Sequence, residues 1–414
     1  MTVYAAGAQK RNDSTLQNIE YQKDIFDVLW KKRNEKPEQP TRKVRAIILP
    51  LVAYSPTTSV QIGVGTSLSY HIGNDPSTKL SAGTGMLTVT ARKQLIFQLK
   101  NNLFSGQNKW FFQTDWRFYV FPLPTYGLGT AGPDEIPPVP GEIPPAYINT
   151  DLDGKYPMSY DWVKFHNVLS RKIIDKLYAG VGYHLDYYFN IKDDAHTYLA
   201  GGSVATPHYS YCRIHGFDTS QYLTSGLSLN FIFDSRDNII NAYKGFYVNA
   251  SYRYNLEILG SQKSGSLLWT EFRAYVGLSK VTPRHLLAFW VFGSFLLSGD
   301  IPYLTLMSSG FDQMNSSGRG YSQGRWRGED FAYGEMEYRF PISPRSKVLG
   351  GVLFANLTTA SNRDMGIPLF GYFKPGVGFG LRIMVGKYDR TNISIDFGLG
   401  YKSQGFYVQA QEIF

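Results

Sequence analysis

The chain has 414 residues, 43% of them hydrophobic, and carries 42 Lys+Arg against 33 Asp+Glu for a net charge of +9. A chain of this apolar content is not disordered, and its longest apolar runs, Ile47–Tyr54 and Leu286–Phe292, fall well short of the 18 or more residues of a spanning helix. A single cysteine, Cys212, excludes an intramolecular disulfide framework and a multi-cysteine metal site, while 41 Gly, 30 Tyr and 27 Phe disfavour a helical fold. A large β protein remains, either soluble or spanning a membrane as a barrel.

Met1–Ala8 has the small residues of the end of a secretory leader without its charged and apolar parts, so the leader is expected to be removed. Residues 1–42 form a distinct N-terminal segment. Within it, Ser14–Lys32 reads as an amphipathic helix with Leu16, Ile19, Phe26, Leu29 and Trp30 on one stripe and Asp13 or Ser14 as cap. Pro37 and Pro40 end it. The helix is expected to pack on the body of its own protein; a membrane-surface or partner-binding helix is the other reading.

Residues 43–414 turn to period two. Val60, Ile62, Val64, Thr66, Leu68 and Tyr70 alternate with polar and glycine residues, as do Ile393, Ile395, Phe397, Leu399 and Tyr401. Sixteen candidate strands follow, at 43–54, 59–72, 78–91, 94–104, 108–120, 157–171, 174–189, 223–234, 244–256, 264–279, 285–298, 331–341, 346–357, 371–386, 391–402 and 404–414. Most exceed the five or six residues of sandwich strands and match a tilted bilayer crossing. Connections alternate between short turns and the long loops 121–156, 190–222, 299–330 and 358–370. That asymmetry, with an even strand number, points to a closed sixteen-stranded antiparallel transmembrane barrel with its N-terminal segment in the periplasm of a bacterial outer membrane.

Several motifs are weighed against bland alternatives. Asp234, Arg236 and Asp237 in FDSRDN are expected to tie a tight turn by local hydrogen bonds and a salt bridge, and the arginine between the acids argues against a metal. Gly376, Gly378 and Gly380 alternate along a strand and precede no helix, so they are not a nucleotide loop; they let the sheet bend or another segment come close. The histidines are scattered and no catalytic set, metal site or cofactor is expected. The spread of basic charge among acids gives no nucleic-acid surface. The Pro-rich PDEIPPVPGEIPPAY is expected to be an outer loop over the barrel mouth.

Three stretches carry a family likeness. They are FDSRDN followed by Gly245; GRGYSQGRWRG (Gly318–Gly328) followed by EMEYRFP (Glu335–Pro341); and the aromatic-ended GFYVQAQEIF (Gly405–Phe414). Together they resemble the superfamily of outer-membrane assembly factors and two-partner secretion transporters typified by BamA, TamA and FhaC, the bacterial surface antigen family, in a short form without periplasmic receptor repeats.

The resemblance implies that the sixth outer loop folds into the lumen with Arg319, Gly320 and Tyr321 at its tip. Arg319 then needs an anion. If Met336, Tyr338 and Phe340 face lipid, Glu335 and Glu337 face the lumen, as does Asp396. Many relatives have an Asp where this chain has Asn356. The resemblance also makes the last strand an insertion signal for the barrel-assembly machinery, with Phe406, Val408, Ala410 and Phe414 on the lipid face and Phe414 at the aromatic girdle. The implied function is assistance to insertion or translocation of protein or lipid, without catalysis. A passive or gated channel plugged by the sixth loop, or a structural or adhesive surface protein, are the alternatives. Expected partners are outer-membrane lipid, the assembly machinery, a periplasmic partner at residues 14–36 and a second copy of the chain.

Overall fold

The computed structural model of the chain describes residues 23–29, 44–55, 58–73, 75, 77–131, 155–193, 206–343 and 348–414. The Pro-rich stretch 132–154, the caps Asp13 and Ser14, most of the segment 14–36 and Trp30 lie outside the described residues. The strands are β1 (Arg45–Ser55), β2 (Ser59–Tyr70), β3 (Ser81–Thr90), β4 (Leu95–Phe104), β5 (Trp110–Pro122), β6 (Met158–Ile174), β7 (Leu177–Asp193) and β8 (Tyr222–Asp234). They continue as β9 (Gly245–Asn255), β10 (Gly265–Gly277), β11 (Leu286–Gly299), β12 (Asp330–Pro341), β13 (Leu349–Ala360), β14 (Lys374–Gly386), β15 (Thr391–Gly400) and β16 (Ser403–Gln409). They form one antiparallel sheet in chain order. β1 and β16 approach within 8 Å between Cα atoms, but among the described residues no hydrogen-bonded ladder joins them.

Alternation sets which face is wet. On β8, Leu227, Leu229 and Phe231 are more than half exposed while Ser228 and Asn230 between them are buried. On β12, Met336 is exposed and Glu335, Glu337 and Arg339 are buried. An apolar outside around a polar inside is the inverse of a protein dissolved in water and suits a lipid surround. No described helix is long and apolar enough to cross a membrane.

Strand lengths are uneven. β6 and β7 have 17 residues each, longer than expected, whereas β16 has 7. The expected strand to Phe414 is therefore corrected: the chain leaves the sheet after Gln409 and turns inward, and Phe414 is 5% exposed instead of facing lipid. Its ring packs on Trp290 and Tyr275, with centroids 5.3 and 6.3 Å away, and the Arg339 guanidinium sits 5.2 Å from its centre. Arg339 also donates to the Phe414 carbonyl at 3.1 Å, and Arg382 holds the Glu412 carboxylate at 2.7 Å. These partners outweigh the lipid face as a place for the tail. Phe406 remains exposed, while Val408 and Ala410 are half-buried. Phe414→Leu, which keeps an apolar side chain but loses the ring contacts, is expected to lower stability by about 1 kcal/mol, measured as a shift in the denaturant midpoint of the lipid-embedded chain.

At the long-loop end the interior is packed. Tyr119, Phe121, Leu123, Tyr160, Trp162, Tyr188, Tyr211 and Tyr303 belong to one buried cluster. Helix α2 (Pro207–Ile214), within a stretch expected as loop, contributes Tyr211. Its start follows the usual rule: the Thr206 hydroxyl accepts the Tyr209 N–H at 3.1 Å and Pro207 opens the first turn. Of the expected N-terminal helix, α1 (Ile25–Leu29) is described, capped by Asp24, whose carboxylate accepts from Phe26 and Asp27 N–H at 3.1 Å. Phe26 and Leu29, expected to be buried, are exposed.

Candidate functional site

The loop between β11 and β12 reaches across the polar face of the sheet, from β4–β5 on one side to β12–β16 on the other. Its shape is made locally. The Asp312 carboxylate accepts the N–H groups of Met314, Ser316 and Ser317 at 2.7, 3.2 and 2.9 Å, closing a tight turn. Arg327 donates from one nitrogen to the carbonyls of Tyr303, Leu304 and Leu306 at 2.9–3.0 Å, satisfying a short turn buried among aromatics. On the β4–β5 side, Lys100 donates to the Gln313 carbonyl, and Arg117 donates to the Asp312 carbonyl at 2.9 Å and to the Asn315 side chain. Sequence reading missed these anchors, since nothing local in β4 or β5 marks a side chain that serves a loop 200 residues on.

On the opposite wall the tip meets β12–β16. Arg319, 1% exposed, pairs with Glu335, with Glu337 and, at 2.9 Å, with Asp396. All three candidate acids thus converge on one guanidinium. Its central carbon lies 3.6 Å from the Phe354 ring centre. Asn356, where many relatives were expected to carry an acid, instead donates to the Arg319 carbonyl at 3.0 Å, fixing the main chain while neighbouring strands supply the charge. Tyr321 donates to the Pro375 carbonyl at 2.6 Å and accepts from Tyr401 N–H at 3.0 Å; Gly320 N–H donates to the Tyr407 hydroxyl at 3.0 Å.

The pairs extend down the wall. Glu337 also meets Arg339 at 2.7 Å, and Arg382 bridges Asp396 at 2.6 Å and Glu412 at 2.7 Å. Three guanidinium groups (Arg319, Arg339, Arg382) therefore face four carboxylates (Glu335, Glu337, Asp396, Glu412). Tyr333 donates a further hydrogen bond to Glu335. Buried charges persist only when paired this fully.

Missing side chains on β15 let the tip come close. A Cβ on Gly398 would lie 2.7 Å from the Gly320 nitrogen, and one on Gly400 2.5 Å from the Tyr321 ring. Of the glycines expected to admit a neighbouring segment, Gly376 does so, its Cβ position being 2.6 Å from the Arg319 carbonyl; at Gly380 the space is taken by Asp396. Gly320 has φ +106° and itself rests on Leu399 and Gly400 main chain.

The turn motif is only partly local. Asp234 and Arg236 pair with each other at 3.0 Å, as expected, but Asp237 reaches Arg390 at 2.7 Å in the β14–β15 turn. Elsewhere β6 and β7 bring His166 opposite His184, with Asp186 2.8 Å from His166 and Arg253 2.8 Å from Asp186. They line a cavity of about 310 Å³ between the crossing loop and the wall, together with Lys100, Asp115 and Lys164. Cross-strand register, invisible in one strand, makes this pairing.

At the long-loop end His215 stands between Asp300 at 3.1 Å and Asp364 at 3.0 Å, joining three loops. Burial opposes its positive charge, but the hydrogen bond and charge of Asp364, then those of Asp300, outweigh burial and raise its pKa. Nearby, burial pushes the Glu329 carboxyl up to about 6. In both cases the folded state holds its proton more tightly than the unfolded chain does. The stabilisation is complete at low pH and is lost as pH rises, through about 6 for Glu329 and higher for His215. Limited proteolysis of the long loops should therefore quicken between pH 5.5 and 8.5, and His215→Gln should flatten the upper part of that profile.

A family model described as the Omp85 superfamily domain matches residues 156–410. No curated protein matches the chain. Among solved structures, BamA from Haemophilus ducreyi lacking POTRA domains 1–3 is similar with TM-score 0.51 at 13% identity, over 88% of this chain and 69% of that one. CdiB from Escherichia coli is similar with TM-score 0.50 at 12% identity, over 92% of this chain and 62% of that one. The present chain thus spans about three fifths of that CdiB chain. At such identities the structural likeness speaks for the fold, while the matched domain covers more than half of the sequence and contains both the loop tip and every acid that Arg319 meets: the chain belongs to the Omp85 superfamily.

Proposed function

We propose that the sheet closes along β1 and β16 into a barrel of the bacterial outer membrane, with residues 1–42 and the short turns in the periplasm, and that it assists insertion or secretion of polypeptide at that membrane. The observation that carries this reading is the uneven wall. Seven residues of β16 extend about 23 Å along the strand, fewer than the nine to eleven or so needed for a tilted crossing. β6 and β7, with 17, have length to spare. Lipid beside the β1–β16 edge must thin to cover a short wall, and a thinned, weakly paired edge lowers the barrier for an incoming strand. The Arg319 network holds β12–β15 rigid next to it. Membrane lipid at this edge and an unfolded polypeptide are the partners this geometry suits.

The test is assembly in proteoliposomes. A urea-unfolded small barrel protein should reach its protease-resistant form faster when the chain is present, and labelled lipids should not exchange leaflets faster. No acceleration would overturn the reading. The packed aromatic cluster at the long-loop end argues against the channel reading; a large steady conductance in planar bilayers would restore it.

A further inference from the structure

The β14–β15 turn has four consecutive side chains with four destinations. Lys387 Nζ holds both oxygens of Asp27 in α1, at 2.7 and 2.8 Å. The Tyr388 ring carries the Arg45 guanidinium 4.0 Å from its centre. Asp389 accepts from the Ser69 hydroxyl at 3.1 Å. Arg390 reaches Asp237 at 2.7 Å and lies over Tyr243 at 4.2 Å. Arg45 and Ser69 are register partners, so the turn grips a single rung of the β1–β2 ladder. From the other side Asn238 and Asn241 donate to the Asp389 and Arg390 carbonyls at 3.4 and 3.2 Å. Arg390 is held at φ +66°, a conformation a non-glycine residue keeps only when its surroundings impose it.

The position gives these contacts a purpose. β16 ends at Gln409, opposite Ser394. Thr391–Ile393 of β15 thus extend beyond the last β15–β16 rung, and Arg45 opens β1 at this end. Here the turn makes the connection that β16 does not, tying the first two strands to the last ones.

We propose that this turn is a clasp on the β1–β16 edge and that Asp27 sets its grip. Two cations lie at the Tyr388 ring: Arg45 at 4.0 Å and Lys387 at 5.4 Å from its centre. Two cations at one ring repel each other unless one is neutralised. Asp27 neutralises Lys387, and Arg45 can then stay. A periplasmic partner that draws α1 away leaves Lys387 bare, and Lys387 then competes with Arg45 for the ring. The rung loosens and the edge of β1 is freed. α1 is therefore the release for the edge. This rests on the reading of the sheet as a closed barrel.

Hydrogen exchange of the full chain in lipid nanodiscs, read on peptides from β1 and β16 with β6–β7 as reference, tests it. Asp27→Asn should speed exchange at the two edge strands by about two- to fivefold, the scale of a partly exposed ion pair, and leave the reference unchanged. Tyr388→Ala should do the same through loss of the ring. Lys387→Gln alone should leave the edge tight, and combined with Asp27→Asn it should restore protection, because no second cation remains. A simple tether predicts that the double variant stays as loose as Asp27→Asn; that result, or an unchanged edge in Asp27→Asn, overturns the proposal. Fast exchange of the unaltered chain throughout, reference strands included, would overturn the barrel reading and the clasp with it.

Discussion

Arg319→Ala is expected to lower stability by about 3–5 kcal/mol and to free the tip of the crossing loop, because it leaves buried carboxylates without their cation. Glu335, Glu337 and Asp396 are each at most 4% exposed, and all three meet this guanidinium. Arg339 and Arg382 remain for Glu337 and Asp396, but among the described residues Glu335 pairs with no other cation. Arg319→Lys keeps the charge and loses the planar fork, so it should fall between wild type and Ala. Glu335→Gln should be milder than either, because the wall already carries one carboxylate more than its guanidinium groups. Denaturant unfolding gives the ranking, and protease cutting within 299–330 reports the loop. Equal stability of Arg319→Ala and wild type would remove the network from the account of the site.

Gly398→Ala is expected to do comparable damage with one methyl group. The new Cβ would meet the Gly320 nitrogen at 2.7 Å and the Arg319 carbonyl carbon at 3.1 Å. Both are main-chain atoms, so no flexible side chain can swing aside. Either the tip withdraws, breaking the Arg319 pairs and the Gly320–Tyr407 hydrogen bond, or β15 moves away from its neighbours; overpacking alone costs about 1–3 kcal/mol, and loss of the tip adds to it. The diagnostic is non-additivity. Once the methyl has expelled the tip, Arg319→Ala in the same chain should cost much less than it does alone. Full additivity would mean that the methyl is absorbed without moving the loop.

How far the sequence carried can be judged on particular residues. Period two is a local signal, so the strands, and the inward parity of Glu335, Glu337 and Asp396, were legible without a structure. The boundary of β16 was not. Alternation continues through Phe406, Val408 and Ala410, and nothing local says that Trp290, Tyr275 and Arg339, far back in the chain, offer Phe414 a better place than the lipid face. Asp237 does hold its own turn, accepting from Tyr243 and Lys244 N–H, but its pair with Arg390 was not legible, and neither were Lys100 and Arg117, which serve a loop about two hundred residues away. Gly398 was visible as a member of an alternating strand, but its need for an absent side chain exists only once Gly320 lies against it. α2 carries a local signal, a Thr–Pro pair at the start of a helical turn, within a stretch otherwise read as a long connection between two strands.

The Arg319 network also bears on the order in which the chain comes together. Arg319 and Asp396 are 77 positions apart, and Ser316 and Ile413 are 97 apart. Closing such separations is slow, because their entropy is lost before the contact returns anything. Asp396 enters the sheet only with β15, and Glu412 arrives with the final residues. Until then the tip has part of its wall and lacks the rest, and Glu335 and Glu337 hold an arginine that has no third acid. The full set of acids around Arg319 can therefore assemble only after β15 has joined the sheet. A chain cut short before β15 keeps Glu335 and Glu337 but loses Asp396, so the seated arginine reports whether β15 has joined the wall.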